Sequence, residues 1–124
     1  MYGGGSFAKG QIFGRIEISL YYSVPDRQLV VTVHRAIDLP PRPDGMSRNP
    51  YVKLFLLPDR SEKSRRQSAV LAETCKPIWN EPFYYHGLTE PMLMERVLEV
   101  GGSHFDSDLL NWNEIISENC PVFN

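Results

Sequence analysis

Residues 39–66 read LPPRPDGMSRNPYVKLFLLPDRSEKSRR. The first part, 39–49, holds three prolines, a glycine and an aspartate. Proline fixes φ and glycine frees it, so a regular ladder cannot run through and an irregular loop is expected. The next part, 50–57, is an apolar run with aromatic and β-branched side chains, too short for an average helix, and it predicts a strand. The last part, 58–66, is a charged turn. A loop thus feeds a buried strand, and that strand delivers basic residues to the surface.

Upstream, residues 15–21 alternate polar and apolar, which predicts a half-buried strand with Ile16, Ile18 and Leu20 inward. Residues 23–26 form a turn, and 28–36 predict a second strand with Leu29, Val31 and Val33 on one face. Two strands joined by a short polar turn make an antiparallel pair. Downstream, 65–72 is expected as a fourth strand and 79–85 as a fifth. Thr89 resembles a helix cap with Pro91 in the first turn, so a single helical turn is expected over 91–95. Residues 96–100 predict a sixth strand. Short strands between turn signals, with no long helical period, predict an all-β fold, an antiparallel β-sandwich. Residues 1–13, with three consecutive glycines, are read as a flexible lead-in to a sandwich over 14–100.

A chain of 124 residues fits one domain, and 42% apolar with 23% charged residues is ordinary for a globular one. The net charge of −2 conceals an asymmetry. Residues 101–124 hold four acids and no Lys or Arg, whereas 42–66 holds seven basic residues against three acids. That segment can meet an anionic surface, although the chain as a whole is no polycation. Cys75 and Cys120 make no disulfide framework and read as free thiols of a reducing compartment. His34, His86 and His104 show no ligand spacing and are expected as surface or satisfied residues. No signal peptide and no membrane-length apolar run stands out, so an intracellular, soluble domain with peripheral membrane contact is expected. Nucleotide-loop, nucleophile-elbow and zinc-protease motifs are lacking, so no enzyme is expected.

Several motifs occur in order at compatible spacing: LPPRPDG, SRNPYVKLFLLPDRSEKSRR, PIWNEPFYY and MERVLEV. Together they resemble a C2 domain, most closely the first C2 domain of RIM, the Rab-interacting scaffold of the presynaptic active zone. The resemblance covers roughly residues 14–100. In that family about eight strands are expected, with strand six entering an aromatic-Asp-x-Asp loop before two further strands. Here strand six meets Gly101-Gly102-Ser103. The remainder, 106–116, suggests an amphipathic helical turn, with Leu109, Trp112, Ile115 and Ile116 on one side. The domain is therefore expected to lack the last strands of the full fold, with 101–124 an acidic tail atypical for the family.

The resemblance also nominates sites. Many C2 domains bind Ca²⁺, which needs about six to eight oxygens, several of them carboxylate. Asn49 stands where the family's first-loop carboxylate belongs, with Arg48 beside it. Asp44 and Pro43 compete for the position of the other first-loop acid. Phe105-Asp106-Ser107-Asp108 mimics the third-loop pattern, displaced by the Gly-Gly break. Asp44, Asn49, Asp106 and Asp108 are thus read as degenerate calcium loops, and no bound metal or other cofactor is expected. In the family the lysine after Tyr-Val, here Lys53, and basic residues of strand four line a face that can hold a phosphoinositide headgroup. Lys63, Arg65 and Arg66 join it as candidates, because phosphate recognition needs clustered donors and Arg adds bidentate geometry. An ordinary solvated or protein-contacting face is the alternative. Arg65-Arg66-Gln67-Ser68 also has the form of a basophilic kinase site. Trp79, Phe83, Tyr84 and Tyr85 are read as core and turn chemistry, with no aromatic platform for nucleic acid.

The resemblance implies a non-catalytic, calcium-independent binding module of a presynaptic scaffold that regulates synaptic vesicle exocytosis. Its partners would be active-zone or vesicle-release proteins and phosphoinositide-containing membrane, with the domain peripheral at the presynaptic membrane. The rival is a calcium-dependent membrane-targeting module of a signalling enzyme such as a kinase or phospholipase. A pure protein-contact domain is a third reading.

Overall fold

The structure, a computed structural model, describes residues 14–39, 44, 49–103, 105–111 and 122–123. The alternation of Ile16 and Ile18 with polar neighbours produces strand β1, Arg15–Ser23. It pairs antiparallel with β2, Gln28–Ile37, whose Leu29, Val31 and Val33 turn inward. Gly14, just ahead of β1, sits at φ 100° with its Cα against the Ile37 and Asp38 carbonyls, 2.8 and 2.9 Å from where a Cβ would stand. Only glycine fits there.

The remaining strands are β3, Val52–Leu57; β4, Arg66–Gln67; β5, Ile78–Tyr85; β6, Val97–Gly102; β7, Phe105–Asn111; and β8, Val122–Phe123. They form two four-stranded sheets, ordered β5-β2-β1-β8 and β4-β3-β6-β7, with every pairing antiparallel. The inward pleats of both sheets supply one core: Ile16, Ile18, Leu29, Val31, Val33 and Tyr85 from the first, Val52, Leu54, Leu56, Leu98, Val100 and Leu110 from the second. Each fully buried aliphatic side chain is worth about 1.5–3 kcal/mol. Helix α1, Glu90–Met94, closes one end with Leu93 inward, and Thr89 caps it by accepting the Met92 N–H at 3.3 Å.

A bulge interrupts β2. Glu17 opposes Arg35 and Ile18 opposes Val33, which leaves His34 extra on β2 relative to β1. On the β5 side, Asn80 takes φ 49°, a conformation asparagine tolerates. The His34 ring is satisfied by Ser19 Oγ at 2.9 Å.

The chain does not lose the last strands of the fold. Gly101 and Gly102 end no sheet: they lie in β6, paired with Lys53 and Val52 of β3. Glycine weakens a strand by its entropy, but β3 and β7 flank β6 on both sides and their ladders hold it extended. β7 then replaces the first part of the helical turn expected over 106–116, with Leu98 opposite Leu110 and Glu99 opposite Leu109. β8 pairs with β1 through Ile16 and Glu17. Residues 101–103 and 105–111 therefore belong to the sandwich rather than to a tail. Trp112, Ile115 and Ile116, like the lead-in 1–13, lie outside the described residues.

Strand four is also shorter than 65–72. Ser64 and Ser68 flank the two residues of β4 and are buried, at 4% and 3% exposure. Ser64 Oγ accepts the Leu56 N–H at 2.6 Å, and Ser68 Oγ accepts the Val52 N–H at 2.8 Å. Two hydroxyls thus do for the edge of β3 what a longer neighbour would have done.

Candidate functional site

The register of β3 decides which basic side chains share a face. Val52, Leu54 and Leu56 are buried, so Lys53, Phe55 and Leu57 occupy the opposite, outer pleat. Gln67 of β4 lies opposite Lys53, and Arg65 reaches it with Nη2 donating to Gln67 Oε1 at 2.6 Å. Lys53 Nζ stands 6.0 Å from the centroid of the Phe55 ring. Lys63 is exposed on the turn that leads into β4. Lys53, Arg65 and Lys63 thus border one edge of the β4-β3-β6-β7 sheet.

Arg66 is placed differently. It opposes Leu54, so it leaves β4 on the inward pleat. At an edge strand that direction leads to the gap between the sheets, where β5 runs. Its guanidinium carbon lies 4.3 Å from the centroid of Tyr85. Nε and Nη2 donate to Tyr84 O at 3.2 and 2.9 Å, and Nη1 donates to Lys63 O at 2.8 Å and Arg65 O at 3.0 Å. Tyr85 itself is 5% exposed and donates its hydroxyl to Ser64 O at 2.8 Å. Burial pushes the Tyr85 phenol up to about 12, against the opposing field of Arg66, so the hydroxyl keeps its proton.

The outer face also carries an ion pair that the sequence reading did not single out. Glu99 of β6, opposite Phe55, receives Arg60 Nη1 at 2.8 Å from the turn after β3. In the same turn Asp59 accepts the Ser61 N–H at 2.7 Å, and hydrogen bonds from Ser61 hold its carboxyl below the ordinary range. The face therefore mixes three cations at its edge with a neutralised carboxylate near its centre. It can contact anionic groups by charge and an apolar surface through Phe55, Leu57 and Leu109, the last 55% exposed.

Asn49 Oδ1 accepts the Glu73 N–H at 2.9 Å, and Glu73 sits at φ 54°. Asn49 thus fastens the first loop to the loop before β5 through its amide oxygen. Asp44 is exposed on a turn. Asp106 and Asp108 are residues of β7, with Asp108 opposite Val100 in the ladder. Among the described residues no group of three or more His, Cys, Asp or Glu is placed to hold a metal ion.

Ser68, the serine of the kinase-like motif, is buried and also donates to Ala69 O at 3.1 Å. Trp79 is core as expected, its Nε1 donating to Ala69 O at 2.8 Å. The apolar run of β3 marked the strand but did not single out Phe55, which its register sets beside Lys53. The Arg60–Glu99 pair had no sequence signal, because it bridges 39 positions across two strands. Among the described residues no helix is long and apolar enough to cross a membrane.

Comparison with known proteins gives the same picture of family. The C2 domain model matches residues 27–120. Rab-3-interacting molecule unc-10 of Caenorhabditis elegans is 62% identical over 113 residues, which is 91% of this chain and 7% of that protein. Regulating synaptic membrane exocytosis protein 1 of Mus musculus is 44% identical over 87 residues, 70% of this chain and 6% of that protein. The chain thus spans a small part of the length of these relatives. The crystal structure of a RIM C2 domain from Drosophila superposes with a TM-score of 0.83 at 34% identity, covering 91% of this chain and 98% of that one. A sandwich of two four-stranded antiparallel sheets, matched over nearly the whole of a solved RIM domain, places this chain in the C2 domain family, beside the C2 domains of RIM.

Proposed function

We propose that this domain is a non-catalytic, calcium-independent binding module of a presynaptic scaffold that regulates synaptic vesicle exocytosis. It meets release-machinery proteins and a phosphoinositide-bearing membrane surface, peripherally at the presynaptic active zone, through Lys53, Lys63 and Arg65. The synaptic setting rests on the names of its relatives, the Rab-3-interacting molecule unc-10 and regulating synaptic membrane exocytosis protein 1. The observation that carries the contact reading is the register of β3 with β4. It sets Lys53 opposite Gln67 and lets Arg65 fold onto the same glutamine. Two cations then stand on one outer face, with Phe55 beside Lys53 and the core side of the pleat turned away. Clustered cations near an anionic membrane are worth about 1 kcal/mol each. Calcium independence is supported by Asn49, which offers an amide oxygen already engaged by Glu73 N–H in place of a carboxylate.

The test is co-sedimentation with phosphatidylcholine vesicles carrying phosphatidylinositol bisphosphate, with added Ca²⁺ or with chelator. Binding that is equal in both and lost in Lys53→Glu is the expected result. Binding only with Ca²⁺ would establish the rival, a calcium-dependent targeting module. Vesicle binding unaffected by Lys53→Glu would remove the site, and no binding at all would leave a protein-contact domain.

A further inference from the structure

We infer that Arg66 is a positioning residue. With Tyr85 it holds the backbone of the 63–65 turn so that Lys63 and Arg65 face outward, and it makes no contact with an anionic partner itself. The inference rests on the proposed binding face and assigns work within it.

Three consecutive carbonyls carry the argument. Lys63 O is held by Arg66 Nη1, Ser64 O by Tyr85 Oη, and Arg65 O by Arg66 Nη1 again, at 2.8, 2.8 and 3.0 Å. Both gripping groups are anchored on the other sheet. Tyr85 belongs to β5, and Arg66 lies over the Tyr85 ring while its Nε and Nη2 both donate to Tyr84 O. The turn that bears the contact cations is therefore tied across the gap between the sheets, not merely to its own strand.

A guanidinium has five N–H donors in a rigid fork. Four of them are directed at protein carbonyls here, and its face is stacked on an aromatic ring. A phosphate approaching Arg66 would have to compete with all of these partners. Among the described residues, Lys63 and Arg65 face no such competition from carbonyls of the sandwich. Lys63 is exposed, and the hydrogen bond from Arg65 Nη2 goes to the side chain of Gln67. The four carbonyl bonds require the planar fork, and a lysine ammonium at the end of a flexible stem cannot reproduce them.

The experiment measures vesicle affinity against salt for the full chain, using the same phosphatidylinositol bisphosphate vesicles. The slope of log affinity against log salt counts the ionic contacts formed, since each releases counterions. Lys53→Gln and Arg65→Gln should each flatten it. Arg66→Lys, which keeps the charge, should weaken binding about fivefold with the slope unchanged, and Tyr85→Phe should do the same through Ser64. A structural change alone would shift the melting temperature without this separation of affinity from slope. If Arg66→Lys binds as the wild type while Arg66→Gln flattens the slope as Lys53→Gln does, Arg66 touches the phosphate and the inference is overturned. If the wild type binds no vesicle, the proposed lipid contact fails, and hydrogen exchange decides the clasp alone. Faster exchange at the Ser64 and Arg65 amides in Arg66→Lys upholds it, and unchanged exchange overturns it.

Discussion

Ser64 and Leu56 exchange two hydrogen bonds through one hydroxyl. The Leu56 N–H donates to Ser64 Oγ at 2.6 Å, and the hydroxyl donates back to Leu56 O at 3.3 Å. A side chain thus imitates a strand neighbour at the edge of β3, inside a buried setting. Removing the hydroxyl leaves both backbone groups of Leu56 without that partner. Ser64→Ala should cost about 1–3 kcal/mol of unfolding free energy in urea titration, whereas Ser61→Ala on the exposed turn should stay within about 0.5 kcal/mol.

The strands beyond Val100 lead to a second prediction. β7 covers the outer edge of β6, and Leu110 is part of the core. A chain ending at Val100 would expose the edge of β6 and uncover the apolar contacts around Leu98. It should show a poorly dispersed amide spectrum and no cooperative thermal transition, while the 124-residue chain shows both dispersion and a single transition. Leu110→Ala in the full chain should destabilise by about 2–5 kcal/mol.

Tyr85 predicts an alkaline effect. Its phenol is raised to about 12 in the folded state, mainly by burial. An acid whose folded value is raised contributes its full stability below the unfolded value of about 10, where both states are neutral. Above that the unfolded chain ionises first, so stability falls as pH rises from about 10 to about 12. Denaturation midpoints measured across that window should decline more steeply for the wild type than for Tyr85→Phe, while at neutral pH the two show the same pH slope.

Much of this was legible in residues 15–21 and 28–36, where Ile, Leu and Val at every second position mark the strands and their inward faces, and in 50–57, whose short apolar run marks a strand. The four motifs were enough for the family. Two things were not legible, for different reasons. Gly101-Gly102 reads locally as a break, yet partners on both sides hold it in β6, and such pairing is invisible along the chain. Arg65 and Arg66 read as equivalent neighbours, yet they point to opposite sides where the turn enters β4, one to Gln67 and the other to Tyr84 and Tyr85. Separating them needed the register of a strand only two residues long, which begins at Arg66.

Glu99 opposes the basic edge of its own face. It stands on β6 beside Phe55 and neutralises Arg60 through a 2.8 Å contact. Its side chain is 14% exposed and that of Arg60 62%, so the carboxylate is the enclosed member and the arginine the exposed one. Glu99→Gln removes a negative charge from the middle of the face and releases Arg60 to meet solvent or an anionic surface. One added positive charge near such a surface contributes about 1 kcal/mol, so vesicle affinity at low salt should rise about fivefold. The gain should shrink as salt is raised, because screening shortens the reach of the charge. Stability should change by no more than about 1 kcal/mol, because the arginine partner stays in water and its attraction is screened. Measuring affinity at two salt concentrations together with the urea midpoint separates these effects. A Glu99→Gln variant that folds normally but binds no more tightly at low salt would show that the anionic surface approaches elsewhere than this face.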